Sequence, residues 1–295
     1  MYQFFTVNGY HYSNSAPNTV RNMQVAINGM VEYFGNKSLR EITKGDLEVW
    51  REDMESESAA SATIAFYLKK SRRILRLAVD HGVLDESPFS KISIPSEKNP
   101  ARKLYVDHDT IKNLLRVCSP DWQAAICLCR FGGMRFPSEV FGLEWDRVNF
   151  DLNRIVVYRQ KTKRDVAIPM LPEVLHTMRN LWKATNKTHR FVFPHYATNQ
   201  SDRSGYQQLK RLVIRAGLTP WERLTTNLRV SLAVDLKLAG LPAETIAEWL
   251  DHTEDVHADH YDLISDEEFR RASCVDSGIF GGVPPTPHAA KPDET

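Results

Sequence analysis

Apolar residues recur at helical spacing through 20–34 and again through 42–54, and over 60–79 Ile64, Tyr67, Leu68, Ile74, Leu75 and Leu77 form one apolar face. These predict three helices in the first hundred residues, the last stopped by Gly82. Residues 88–102 break the pattern. Pro88, Pro95 and Pro100 stand there among serine, lysine and asparagine, which reads as an interdomain linker. Helical spacing resumes from 106–109 to Cys118 and from 121 to 131, where Gly132-Gly133 interrupts it. The period then shortens to two: 154–158 and 166–168 predict a β-hairpin whose polar tip is 160–164. Helices return at 172–183, 206–216, 227–238 and 242–250, with Pro242 suited to a first turn. Ser265-x-x-Glu268 is a capping box for a last short helix. Beyond Cys274 the chain is rich in glycine and proline and reads as a disordered tail, 275–295. The fold class is mostly α with a small β element, in two domains, 1–100 and 101–274.

Composition narrows the function classes. With 295 residues, 42% hydrophobic and 25% charged, the chain is neither disordered overall nor a disulfide scaffold. Its four cysteines, Cys118, Cys127, Cys129 and Cys274, form no C-x-x-C pair, so a zinc ribbon has no support and reduced thiols are expected. No apolar run reaches membrane-span length and no signal segment follows Met1, which predicts a cytoplasmic protein. The net charge of +1 taken alone speaks against nucleic acid, but the charges are segregated. Residues 41–57 hold seven acids and two bases, whereas Lys69, Lys70, Arg72, Arg73 and Arg76 form a run without an acid. That run is either a solvated helix face or a phosphate-contacting one.

Five short segments could carry chemistry, each with a bland alternative. Arg135 precedes Pro137, a residue suited to a helix start, so guanidinium and helix end would together favour an anion; equally, Arg135 could pair with Glu139. The hairpin tip carries Lys161, Lys163 and Arg164, able to enter a DNA groove or to form a solvated turn, and a lysine there could protonate a leaving alkoxide. Thr225-Thr226-Asn227-Leu228-Arg229 places a second arginine near a helix start, where it could also be surface charge. His252 follows a helix end next to Asp251. His257 and His260 lie close by, but the spacing matches no common zinc pattern. Tyr261 is either a packing residue or a nucleophile, the latter needing an electrophile neutralised by cations.

Taken in order, these segments resemble the motifs of the tyrosine recombinase, or phage integrase, family. Phe131-Gly132-Gly133-Met134-Arg135 is followed by Glu139 and Gly142-Leu143-x-Trp145; then come a hairpin lysine eight residues before Pro169, Asn227-Leu228-Arg229, Trp249-Leu250-x-His252, and Tyr261 nine residues later. The resemblance spans about 15–270 and implies a helical core-binding domain followed by a catalytic domain. It implies a site-specific recombinase that cuts DNA by transesterification through a 3′-phosphotyrosyl intermediate, with no metal and no other cofactor. Its partners would be double-stranded DNA and further copies of the chain, a monomer in solution becoming a tetramer at the synapse, in the cytoplasm at the nucleoid and without a membrane. By similarity, the catalytic residues are Arg135, Lys161, Arg229, His252 and Tyr261, with Lys163 the second choice for the general acid. DNA contacts fall to Lys69, Lys70, Arg72, Arg73, Arg76, Lys163 and Arg164. Three departures stand out. Thr226 occupies the usual histidine position, and its hydroxyl cannot act as a base near neutral pH, so a DNA-binding homologue with weak or lost catalysis is the alternative. Arg135 and Glu139 lie one residue further apart than in the commonest pattern. Asp251 replaces a glycine. A bacterial integrase subgroup shares Arg-x-Pro-Ser-Glu together with the Trp221-x-x-Leu224-x-x-Asn227-Leu-Arg stretch seen here.

Overall fold

A computed structural model of the chain describes residues 17–35, 37–89, 92–96, 102–160, 162–185, 189–197 and 202–251. The chain divides into two compact units between Asn99 and Pro100.

The first unit is built from α1 (Pro17–Phe34), α2 (Lys44–Ser56) and α3 (Ser61–Asp80). Thr43 caps α2 through a capping box with Asp46. The helical period lines Met23, Ile27, Met30 and Phe34 of α1 against Leu47 and Trp50 of α2 and Ile64, Leu68 and Leu75 of α3, all buried in one core. After α3 the chain passes Gly82 at φ +68, as a helix stop requires. Within the stretch 88–102, Ile92 is buried in this same core, and its carbonyl accepts a 2.8 Å hydrogen bond from Arg72.

The second unit begins with α4 (His108–Arg116), α5 (Pro120–Arg130) and the one-turn α6 (Ser138–Phe141). A three-stranded antiparallel sheet follows: β1 (Val148–Asn149), β2 (Arg154–Arg159) and β3 (Arg164–Pro169), in that order. The predicted hairpin pairs from Arg154↔Pro169 to Arg159↔Arg164; β1, too short to show a period, was not legible beforehand. Then come α7 (Pro172–Ala184), the one-turn α8 (Pro194–Ala197), α9 (Asp202–Arg215), α10 (Leu224–Leu238) and α11 (Ala243–Leu250). Pro242 is the N-cap of α11, not its first turn. The expected helix at 265–268 and the tail lie outside the described residues.

Helices α5 and α10 are buried on nearly every side. The polar residues of α10 must therefore find partners inside. Asn227 donates to the carbonyls of Glu222 and Arg102, and the Ser231 hydroxyl accepts from the Val106 amide at 2.8 Å. Asp235 accepts from Arg130, from the Tyr105 hydroxyl at 2.7 Å, and lies 3.3 Å from the His108 ring. Burial pushes the Asp235 carboxyl up, but Arg130, His108 and Tyr105 outweigh it and hold it below the usual range. A depressed carboxyl contributes stability above its unfolded pKa of about 4 and loses it only as pH falls through the lower folded value. Asp235→Asn is therefore expected to cost about 3 kcal/mol at pH 7, because Arg130 is left buried without its counter-charge. Urea titrations should show the gap between the two proteins closing only in strong acid.

Candidate functional site

Arginine is brought into the second unit by three local devices. The first is the end of α5. Gly133 sits at φ +62, and a Cβ there would meet Leu250 Cδ2 at 2.3 Å and Leu232 Cδ2 at 3.1 Å, so only glycine lets the chain turn this closely against α10 and α11. The turn ends α5 and presents Arg135. The second is the start of α10, where Arg223 adopts the left-handed conformation (φ 50) and the Trp221 indole donates to the Leu224 carbonyl. The Trp-x-x-Leu-x-x-Asn stretch is thus the frame of this helix start. The third is the alternation of β2: Ile155 and Val157 point inward, and Arg159 occupies the same inward register with no exposure.

These devices converge on one cluster. The Arg229 Nη1 donates to the Gly133 carbonyl at 2.6 Å, tying the second arginine to the turn that carries the first. Glu139 accepts from the Arg135 amide at 2.7 Å and from Arg135 Nη1 at 2.8 Å, and its second oxygen also accepts from Arg159. Arg135 Nη2 reaches the carbonyl and carboxylate of Asp251 at 3.1 and 3.2 Å. Asp251 further accepts from the Thr162 hydroxyl and from Arg164 Nε at 3.1 Å. Among the described residues, four arginines thus surround two carboxylates, a surplus of two positive charges. Arg229 is 6% exposed, while Arg135 keeps 28% of its side chain open to solvent. Burial, with Arg135 and Arg159 adding repulsion, pushes the Arg229 guanidinium down to about 9, so it stays charged near neutral pH in a setting that favours an anion. Asp251 is desolvated, which raises its carboxyl, yet bonds from Thr162, Arg164 and Arg135 hold it below the usual range.

Several expectations change here. Arg135 does pair with Glu139, while 28% of its side chain stays open to solvent. Helix ends add little to either arginine: Pro137 is the N-cap of a four-residue helix, and α10 starts at Leu224, which places Arg229 in the second turn. Thr226 is exposed, three residues from Arg229 and so on the same side of α10. Arg164 is engaged by Asp251, and Lys163 is exposed at the turn with φ 54. In the first unit Lys69, Arg72, Arg73 and Arg76 are exposed on α3 and Lys70 is half-buried. Lys161, His252 and Tyr261 lie outside the described residues. Arg159 was not foreseen; the signal was a charged residue in the inward register of an apolar strand. Asp251 is the left-handed C-cap of α11 (φ 50), where glycine would be relaxed, and its bonds to Thr162, Arg164 and Arg135 offset that strain.

The model of the phage integrase family matches residues 105–268, which spans every element of this cluster. The chain belongs to the phage integrase family. It is a tyrosine recombinase, an enzyme of site-specific DNA recombination. A search of curated proteins finds no match. Among solved structures, this integrase is similar to a lambda integrase dimer bound to a COC′ core site (15% identity, TM-score 0.73, covering 88% of this chain and 94% of that one). It is also similar to the Tn1549 transposon integrase in complex with transposon right end DNA (15% identity, TM-score 0.74, covering 91% and 96%). A lambda integrase tetramer bound to a Holliday junction matches with 13% identity and a TM-score of 0.69, covering 88% of this chain and 75% of that one. At such identities the likeness is one of fold: mostly helical, with a small sheet. No helix among the described residues is long and apolar enough to cross a membrane.

Proposed function

We propose that this integrase recombines DNA by transesterification, with Tyr261 attacking a backbone phosphorus, remaining joined to the 3′-phosphate and releasing a 5′-hydroxyl. Arg135 and Arg229 hold the two non-bridging oxygens, because a guanidinium fork gives directed bonds where an ammonium gives a point charge. His252 adds a donor, and Lys161 protonates the departing 5′ oxygen, with Lys163 as its substitute. The observation that carries this reading is the surplus of two positive charges, among the described residues, around the buried carboxylates Glu139 and Asp251. A phosphodiester bears one negative charge and its pentacoordinate transition state two, so the cluster matches the transition state better than the ground state.

In this reading residues 1–100 form the core-binding domain, 101–274 the catalytic domain and 275–295 a tail. The exposed basic residues of α3, Lys69, Arg73 and Arg76, track the phosphate backbone, which positions the enzyme without choosing its sequence. Arg72 shares this role with its bond to Ile92. The chain is a monomer in solution and assembles as a tetramer on two duplexes, in the cytoplasm at the nucleoid. The segment after Tyr261, 265–272, is the element exchanged between protomers.

A nicked suicide duplex carrying the attachment sequence, taken from repeats flanking the gene, tests the chemistry. The native chain should form a denaturation-resistant protein–DNA adduct that Tyr261→Phe abolishes. If the native chain binds the duplex tightly and forms no adduct, the transesterification reading fails, and the Thr226 departure marks a DNA-binding homologue.

A further inference from the structure

Arg159 is absent from every role assigned so far, yet it is the most buried charge of the cluster. Strand alternation alone would be served by an apolar residue following Ile155 and Val157. Burying a guanidinium there costs free energy that packing does not return. Its partners show what it holds. Nη1 donates to Glu139 and Nη2 donates to the Trp249 carbonyl at 2.6 Å. Its backbone closes the hairpin: Arg159 pairs with Arg164, and its carbonyl accepts from the Lys163 amide at 2.7 Å. One side chain therefore joins the start of α6, the root of the hairpin tip and the end of α11.

We propose that Arg159 is a positioning residue for Arg135, acting through Glu139. This rests on the reading that Arg135 holds the scissile phosphate. Glu139 is buried and cannot be neutralised by water. Both of its oxygens are committed to Arg135, one to the amide and one to Nη1. With Arg159 and Arg164 present, Glu139 and Asp251 are each shared between two guanidiniums, so neither carboxylate bears wholly on Arg135. Without Arg159, the whole charge of Glu139 falls on Arg135. The phosphate-facing arginine is then drawn inward and cancelled, although it never loses a bond of its own.

The charge argument separates this role from a merely structural one. Arg159→Met should slow single-turnover adduct formation about 100-fold, the loss typical of one transition-state donor, while the duplex Kd changes less than about 3-fold. Adding Glu139→Gln to Arg159→Met removes the uncompensated charge and should recover about 10-fold in rate, a coupling of the size expected for residues in direct contact. Arg159→Lys, which keeps the charge but not the fork, should lie between the native chain and Arg159→Met. The assay uses the full chain and the nicked duplex described above, with anisotropy for Kd and thermal melts alongside. If Arg159→Met fails to fold, the paired variant, which buries no lone charge, is compared with Glu139→Gln alone, and the two should cleave within about 3-fold of each other. Native-like cleavage by Arg159→Met overturns the proposal. So does a paired variant that melts like the native chain and cleaves no faster than Arg159→Met, or, where only the pair folds, one that trails Glu139→Gln by more than that margin. Should Arg135→Ala form adduct at the native rate, the phosphate reading itself falls and takes this proposal with it.

Discussion

Arg229→Ala should lower the rate of adduct formation on a nicked duplex by about 10³-fold, and the same loss is expected for Arg135→Ala. The size follows from where the charge sits. Arg229 is almost fully enclosed, its Nη1 fixed on the Gly133 carbonyl at 2.6 Å, so its fork needs no reorganisation when a phosphate arrives. In such a site a charge acts with little screening by water. Arg229→Lys should recover little, because an ammonium cannot keep the Gly133 bond and offer a second directed donor. Stability should change far less than activity. The Arg229 guanidinium is pushed below its ordinary value by burial and by Arg135 and Arg159. A cation whose folded pKa is lowered costs stability at every pH below that folded value, and the cost fades only as pH climbs towards the unfolded value. Removing the charge relieves that cost at neutral pH and offsets part of the loss of packing and of the Gly133 bond, so the melting temperature of Arg229→Ala should fall only modestly while cleavage collapses. A variant that loses activity only because it unfolds would contradict this account.

Gly133→Ala should destabilise the second unit by about 2–5 kcal/mol, combining left-handed strain with overpacking. The added methyl would lie 2.3 Å from Leu250 Cδ2. Leu250 is buried with Leu232, Leu236 and Ile246, so it cannot swing aside without opening a void. Gly217 provides the comparison. It also has positive φ, at +74, but a Cβ there meets nothing within 4 Å. Gly217→Ala therefore reports strain alone, about 1–2 kcal/mol. Denaturant titration of both variants separates the two contributions. Equal losses would mean that the close approach of α11 to the turn is not what demands glycine. Because the Gly133 carbonyl also holds Arg229, the variant should retain less activity than its residual folded fraction predicts.

Helices α1 to α5, α7 and α11 and the hairpin were legible because each pays its own way in a local period: apolar residues at helical spacing, or alternation between Gly and polar breaks. The start of α10 was placed three residues late, since Trp221 and Asn227 stabilise it through bonds to carbonyls that no period reveals. The one-turn helices α6 and α8 and the two-residue strand β1 are held by packing against their surroundings and carry too few residues to show a pattern.

The ordered motifs by themselves determined the family and the fold class, and singled out Arg135 and Arg229, which the fold brings into one cluster, because spacing along the chain survives in the sequence. What only the tertiary structure decided is how those charges are balanced. Glu139 is shared by Arg135 and Arg159 across 20 positions, and Asp251 draws in Arg135, Thr162 and Arg164 from as far as 116 positions away. Electrostatic pairing depends on distance in space and on exclusion of water, and neither is written in the order of residues.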